Sequence, residues 1–259
     1  MKLVIAYDGT EFHGWQKQPE LRTVQGALEQ AIRRTVRQQV ELIGSGRTDA
    51  GVHAAGQVAN FLAESTIPTV RLRKAIGSRL PKDISVIRAA DVSSEFDARG
   101  SALSKLYCYR IHNARDRPVG RLTQRQTYHF WNPLDVERMR AGARHFVGMM
   151  DFAAMASKGS ERETTVRTVL RCEVERWYDE VRISVEGCGF LYNQVRNMVG
   201  TLIEVGRGHW EPDHVAEILA GGDRAAAGPT APARGLCLRW VRYPPRHLQP
   251  DCDPPQDTA

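Results

Sequence analysis

No stretch of this 259-residue chain approaches the eighteen or more apolar residues of a membrane span, and the apolar run Leu3 to Ala6 is too short for a signal peptide. A cytoplasmic protein with no membrane partner is the expectation. The five cysteines, Cys108, Cys172, Cys188, Cys237 and Cys252, are odd in number, and no pair has the two-to-four-residue spacing of a zinc site. They read as reduced, mostly structural thiols, with no metal and no cofactor expected. A glycine-rich phosphate loop ending in Lys-Ser or Lys-Thr is missing, as are GxGxxG, HExxH and GxSxG. Nucleotide hydrolysis, dinucleotide redox, zinc proteolysis and serine hydrolysis therefore lack their parts.

What is present is a basic chain that can build a core. Its 42% apolar content suits either one large domain or two packed halves, and two halves are favoured by the element order. Thirty-six Lys and Arg against thirty acids give a net charge of +6 and point toward a polyanionic partner such as nucleic acid.

Residues Lys2 to Tyr7 read as a strand ended by Asp8-Gly9. Thr23 is a suitable N-cap for a helix over residues 24–38, whose apolar positions recur at helical spacing. Strands are expected over Val40 to Ile43 and Gln57 to Leu62, a helix over Val70 to Arg79 and a strand over Ile84 to Ala89. The second half repeats the alternation. It has a strand at Tyr107 to Ile111, a helix capped by Asp135 and running to Val147, and a hairpin of Val166 to Arg176 with Glu180 to Glu186. Helices over Leu191 to Val205 and Asp213 to Leu219 follow, the latter stopping at Gly221-Gly222, and Leu236 to Val241 is the last strand. Arg99 to Lys105 and the stretch Asn113 to Gln126, with Arg115, Arg117, Arg121 and Arg125, read as a junction or an exposed basic loop. From Pro244 onward prolines and acids without apolar period predict a disordered tail.

Gly46 to Ala54 reads Gly-Arg-Thr-Asp-Ala-Gly-Val-His-Ala, which places one carboxylate, Asp49, at a strand end inside a basic chain. Taken alone, an acid in such a turn more often caps or turns the backbone than reacts. Flanking glycines that permit close approach of another molecule, Arg47 as a cationic neighbour, and His53 and Gln57 favour chemistry, with an ionised aspartate serving as nucleophile. Arg196 lies beside the apolar stripe Leu191, Val195, Met198, Val199, Leu202 and Ile203, either snorkelling or buried against a carboxylate. Tyr107 and Tyr109 share a strand face, so with Lys105 and Arg110 they form either a base-stacking surface or ordinary aromatic core. His13 and Trp15 read more readily as packing residues than as ligand contacts.

Together, YDGTEFHGWQKQP (Tyr7 to Pro19), TVQGALEQAI (Thr23 to Ile32), GSGRTDAGVHAAGQVANF (Gly44 to Phe61), Lys105 to Tyr109, the FLYNQVRNMVG run and Gly235-Leu236 closely resemble the tRNA pseudouridine synthase A family. The resemblance spans about residues 2–244. GRTDAGVH is its specific part, with Ala54 where glycine is often found and Asn193-Gln194 in place of a frequent His-Met. It implies an α+β protein with the pseudouridine synthase fold, two mixed α/β, ferredoxin-like or RRM-like subdomains joined in a central antiparallel sheet. Residues 1–104 would form the first, 105–245 the second, and 246–259 the tail. It further implies a homodimer, free of metal and cofactor, that isomerises uridine to pseudouridine at positions 38, 39 and 40 in the anticodon stem-loop of tRNA. Carried over by motif, Asp49 would be the catalytic aspartate and Tyr107 the tyrosine against the target base. Arg196 would pair with the acid, Leu236 would line the uracil pocket, and Arg47 would insert into or hold the RNA. A non-catalytic tRNA-binding or folding protein and a base-removing glycosidase are the rival readings.

Overall fold

The computed structural model describes residues 1–157, 159 and 164–245; the tail expectation for 246–259 lies outside the described residues. Two compact units divide the chain, one of Met1–Ser104 with the residues from Leu238 onward, the other of Lys105–Cys237. Each mixes strands and helices, as an α+β chain should.

In the first unit, β1 (Lys2–Tyr7), β2 (Ile43–Gly44), β3 (His53–Asn60) and β4 (Ile84–Ala90) combine with α1 (Val24–Val36) and α2 (Thr69–Gly77). Strand order runs β4, β1, β3, then the last strand of the chain, with β2 on β3. Both pairings of β1 are antiparallel, Lys2 facing Asn60 on one side and Ala90 on the other. The apolar stripe of α1 buries Leu28 and Ile32, and α2 buries Leu72 and Ile76, all at 0% exposure. Full burial of side chains of this size is worth about 1.5–3 kcal/mol each.

The expected strand over Val40 to Ile43 is reduced to the two residues of β2. Side chains of α1 take the backbone groups a ladder would use: Gln25 Nε2 donates to the Leu42 carbonyl at 3.0 Å and the Leu42 N–H donates to Glu29 Oε1 at 3.4 Å. β3, by contrast, starts at His53, four residues earlier than its apolar content suggests. The tight loop between β2 and β3 is where Asp49 sits.

The second unit holds β5 (Ser104–His112), whose first residue belongs to the first unit, with α3 (Arg121–Gln126), β6 (Tyr128–His129), α4 (Val136–Arg144) and β7 (Gly148–Asp151). The hairpin β8 (Val166–Trp177) and β9 (Glu180–Gly187) follows, then α5 (Gln194–Gly206), α6 (His214–Gly221) and β10 (Leu236–Arg242), which passes into the first unit at Leu238. Strand order is β5, β9, β8, β7, antiparallel where paired, with β6 parallel on β5. Asp135 caps α4 by accepting from the Arg138 N–H at 3.1 Å, and Gly222 ends α6 in the left-handed region at φ 65°. The basic stretch expected as loop carries the short helix α3 at its end, while α5 begins at Gln194 rather than Leu191.

Candidate active site

The Asp49 loop is held by the segment that follows β1. Trp15 donates its backbone N–H to the Thr48 carbonyl at 3.0 Å, Gly51 donates to the Phe12 carbonyl at 3.2 Å, and the hydroxyls of Tyr7 and Thr48 share a hydrogen bond of 2.8 Å. That segment is pinned in turn by α1, whose first N–H groups, unsatisfied within any helix, reach the carbonyls of Gly14 (from Val24, 3.2 Å) and Trp15 (from Gln25, 3.0 Å). Thr23 Oγ1 accepts from the Gly26 N–H, so the N-cap read from sequence is real.

Close backbone approach fixes the rest. Gly51 stands at φ 78° in the turn closed by Val52 N–H to Asp49 O at 3.1 Å, the position where a type II turn takes glycine. Inside the loop, Gln57 is fully buried: its Oε1 accepts from Ser45 Oγ at 2.6 Å and its Nε2 donates to Gly46 O at 3.0 Å. His53, 3% exposed, accepts the Gly9 N–H on Nδ1 at 3.1 Å. That nitrogen therefore carries a lone pair, and the 3.2 Å approach of Asp8 Oδ1 to it is attractive only for a protonated ring. The Gly9 bond is the better description, because Asp8 already caps its own turn through Thr10.

Asp49 is half-buried on this frame and Arg47 is exposed, with its Nε donating to Gln16 Oε1 at 3.1 Å. Trp15 is a core residue at 2% exposure while His13 is exposed, which settles the packing reading for the tryptophan.

In the second unit, Arg196 occupies the first turn of α5, half-buried. Its Nε donates to the Ala231 carbonyl at 2.7 Å and Nη1 donates to Asn193 Oδ1 at 2.8 Å. Asn193 is the N-cap in the left-handed region at φ 60°, which asparagine tolerates better than most residues. Four residues along, Gly200 lets the next segment touch the helix: a Cβ there would lie 1.7 Å from the Pro229 carbonyl oxygen. Buried Asn197 ties the same segment down, donating to Met155 O at 2.8 Å and accepting from Arg224 Nη2 at 2.9 Å and Thr230 Oγ1 at 2.7 Å.

The segment so fixed delivers Leu236, 5% exposed, to the start of β10. On β5, Tyr109 is fully buried under Gly235, and its hydroxyl donates to the Pro232 carbonyl at 2.8 Å. Burial pushes its phenol far above the ordinary range, with the Tyr128 hydroxyl adding and the Arg196 and Arg234 cations opposing. Tyr109 is thus core, the second of the two readings of that strand face. Arg110 points to the other face and forks onto Glu180. Tyr107, 8% exposed, meets Phe190 edge to face at 5.4 Å.

Arg196, Leu236 and their frame are thus gathered in one unit, and Asp49 and Arg47 in the other. Ser45, Gln25, Asn197, Arg224 and Thr230 were not singled out from sequence, because each acts through partners distant along the chain. Among the described residues no group of three His, Cys, Asp or Glu side chains could hold a metal ion, and no helix is long and apolar enough to cross a membrane.

The family model described as tRNA pseudouridine synthase matches residues 3–99 and 143–244, segments that include Asp49, Arg196 and Leu236 but not Tyr107. A tRNA pseudouridine synthase A 2 of Clostridium perfringens is 43% identical over 94% of this chain and 99% of its own length. The tRNA pseudouridine synthase A of Acetivibrio thermocellus is 45% identical over the same shares, and that of Maridesulfovibrio salexigens is 45% identical over 94% of this chain and 90% of its own. On identity and coverage of this order, the chain belongs to the tRNA pseudouridine synthase family.

Proposed function

We propose that this protein isomerises uridine to pseudouridine at positions 38, 39 and 40 of the tRNA anticodon stem-loop, with Asp49 as the carboxylate nucleophile or base. The observation that supports this best is the frame around Asp49: a half-buried acid whose flanking peptides are tied to Phe12 and Trp15, within a segment matched to the family. A carboxylate on so fixed a backbone loses little orientational freedom when it meets a substrate.

The reaction breaks the N1–C1′ bond, turns the uracil and joins C1′ to C5. The C5 hydrogen leaves as a proton and N1 gains one, so no redox partner is required. Three tasks for Asp49 satisfy this balance: attack on C1′, addition to C6, or removal of the C2′ proton. In this reading Tyr107 packs against the target base, Leu236 supplies an apolar wall that retains the freed uracil, and Arg196 is a further substrate-binding residue. Arg47, exposed beside Asp49, meets the RNA. The target uridine leaves its stack at a cost of a few kcal/mol, which contacts in the pocket offset. The enzyme is read as a cytoplasmic homodimer that works without metal or cofactor.

The test is tritium release from C5-labelled uridine in tRNA. Asp49→Asn abolishes release while tRNA affinity stays within about ten-fold, since phosphate contacts carry most of the binding. Normal turnover by that variant removes Asp49 from the mechanism, and free uracil in place of pseudouridine replaces the synthase with a glycosidase.

A further inference from the structure

Between His112 and Trp131 the second unit carries four arginines against one aspartate. The loop after β5 is fixed, not loose. His112 Nε2 lies 3.2 Å from the Asp116 carbonyl and His129 Nε2 lies 2.9 Å from the Ala114 carbonyl. A carbonyl only accepts, so both rings donate and grip the loop on either side of Arg115. Asn113 adds bonds to the carbonyls of Phe130 and Asn132 at 2.8 and 2.7 Å, and Gln124 Nε2 one to Pro118 O at 3.0 Å. Arg115 and Arg117 stand exposed on this scaffold.

Aromatic rings line the same place. His112 and His129 are 5.7 Å apart, and His129 is 6.3 Å from Trp131, which is 63% exposed. Tyr128 lies under the Arg234 guanidinium at 5.8 Å, and Arg234 precedes Gly235-Leu236. An exposed tryptophan beside cations of one sign has no use in a core, and both features match a nucleic-acid strand: phosphates for the arginines, a base face for the indole.

We propose that this face docks single-stranded nucleotides of the RNA substrate, Arg115 and Arg117 on neighbouring phosphates and Trp131 stacked on one unpaired base. The inference rests on the proposed tRNA substrate and assigns it a second contact area, outside the residues given to catalysis. A second copy of this chain is the poorer occupant. A two-fold contact centred on this patch would bring its net positive charge against an identical net positive charge.

Filter binding of a tRNA transcript across a potassium chloride series, on the full chain, separates these cases. The double variant R115Q/R117Q is expected to bind about ten-fold more weakly at moderate salt, with the log-log salt slope reduced by about two. Trp131→Ala is expected to weaken binding about ten-fold with the slope unchanged, and Trp131→Phe to restore most of it. Wild-type affinity and slope in all three variants, with the unsubstituted protein active, overturn this surface alone. A changed sedimentation coefficient with unchanged tRNA affinity overturns it in favour of a contact between copies. An unsubstituted protein that neither binds tRNA nor forms pseudouridine overturns the proposed function and this surface with it.

Discussion

Gly14 lies against the peptide that carries Asp49: a Cβ on Gly14 would sit 2.7 Å from the Thr48 carbonyl oxygen and 3.2 Å from the Asp49 carbonyl carbon. Gly14 also holds φ 87°, where side-chain-bearing residues are strained. Both neighbours are backbone, so neither can swing aside. Gly14→Ala is therefore expected to cost about 2–3 kcal/mol of stability, measured by urea denaturation. It should also displace the aspartate and lower kcat more than tRNA affinity. A variant as stable and as fast as the parent would show that the loop is not held from this side.

On α5 the corresponding restraint is a polar knot rather than a glycine contact. The Arg224 guanidinium donates to Asn197 Oδ1, Thr230 Oγ1 and the Gly228 carbonyl at 2.9–3.0 Å, and burial works against its charge. Removing the Asn197 amide leaves Arg224, Thr230 and the Met155 carbonyl each short of a buried partner. Asn197→Ala should then cost about 2–4 kcal/mol. Because the released segment also carries Ala231, the carbonyl that holds Arg196, turnover should fall even at temperatures where the variant is fully folded. Calorimetry paired with tritium release reads both effects, and a loss of stability without any loss of turnover would confine Asn197 to folding.

These restraints mark the boundary of what the sequence discloses. Local signals were legible: β1 matches its β-branched run residue for residue, Thr23 and Asp135 cap the helices they precede, and Gly222 ends α6. Such features depend on neighbours within four residues. The strand expected at Val40 to Ile43 was lost because Gln25 and Glu29, more than ten residues away, bind Leu42. β6 and β7 are short strands without a readable period, and they pair only because β5 and β8 lie beside them. The site divides along the same line. Asp49 stood out as an acid in a basic chain, whereas Asn197 resembled any polar residue on a helix until partners 27 and 33 residues away were known. Gly14 and Gly200 carried no signal of their own, since their role is the space they leave for another backbone.

The last expectation concerns acid stability, and it follows from the β5–β9 ladder. Arg110 and Arg182 face each other directly across that pair, an arrangement that is unfavourable for like charges. Glu180 relieves it by accepting from both, at 2.9 and 2.6 Å from Arg110 and 2.6 Å from Arg182. Burial raises the carboxyl's pKa, but the hydrogen bonds and charges of Arg110 and Arg182 outweigh that, and the group ends below its ordinary value. A depressed folded-state value stabilises the native chain above the unfolded pKa, about 4.3 for glutamate, and this contribution disappears as pH falls through the folded value. Glu180→Gln should therefore melt lower than the parent at pH 7, where it leaves two cations facing each other without their anion. The gap should narrow as pH is lowered from about 4 toward the folded pKa. Melting curves between pH 7 and pH 3 test this, and a gap that stays constant or widens in acid would show that the carboxylate's charge does not stabilise the ladder.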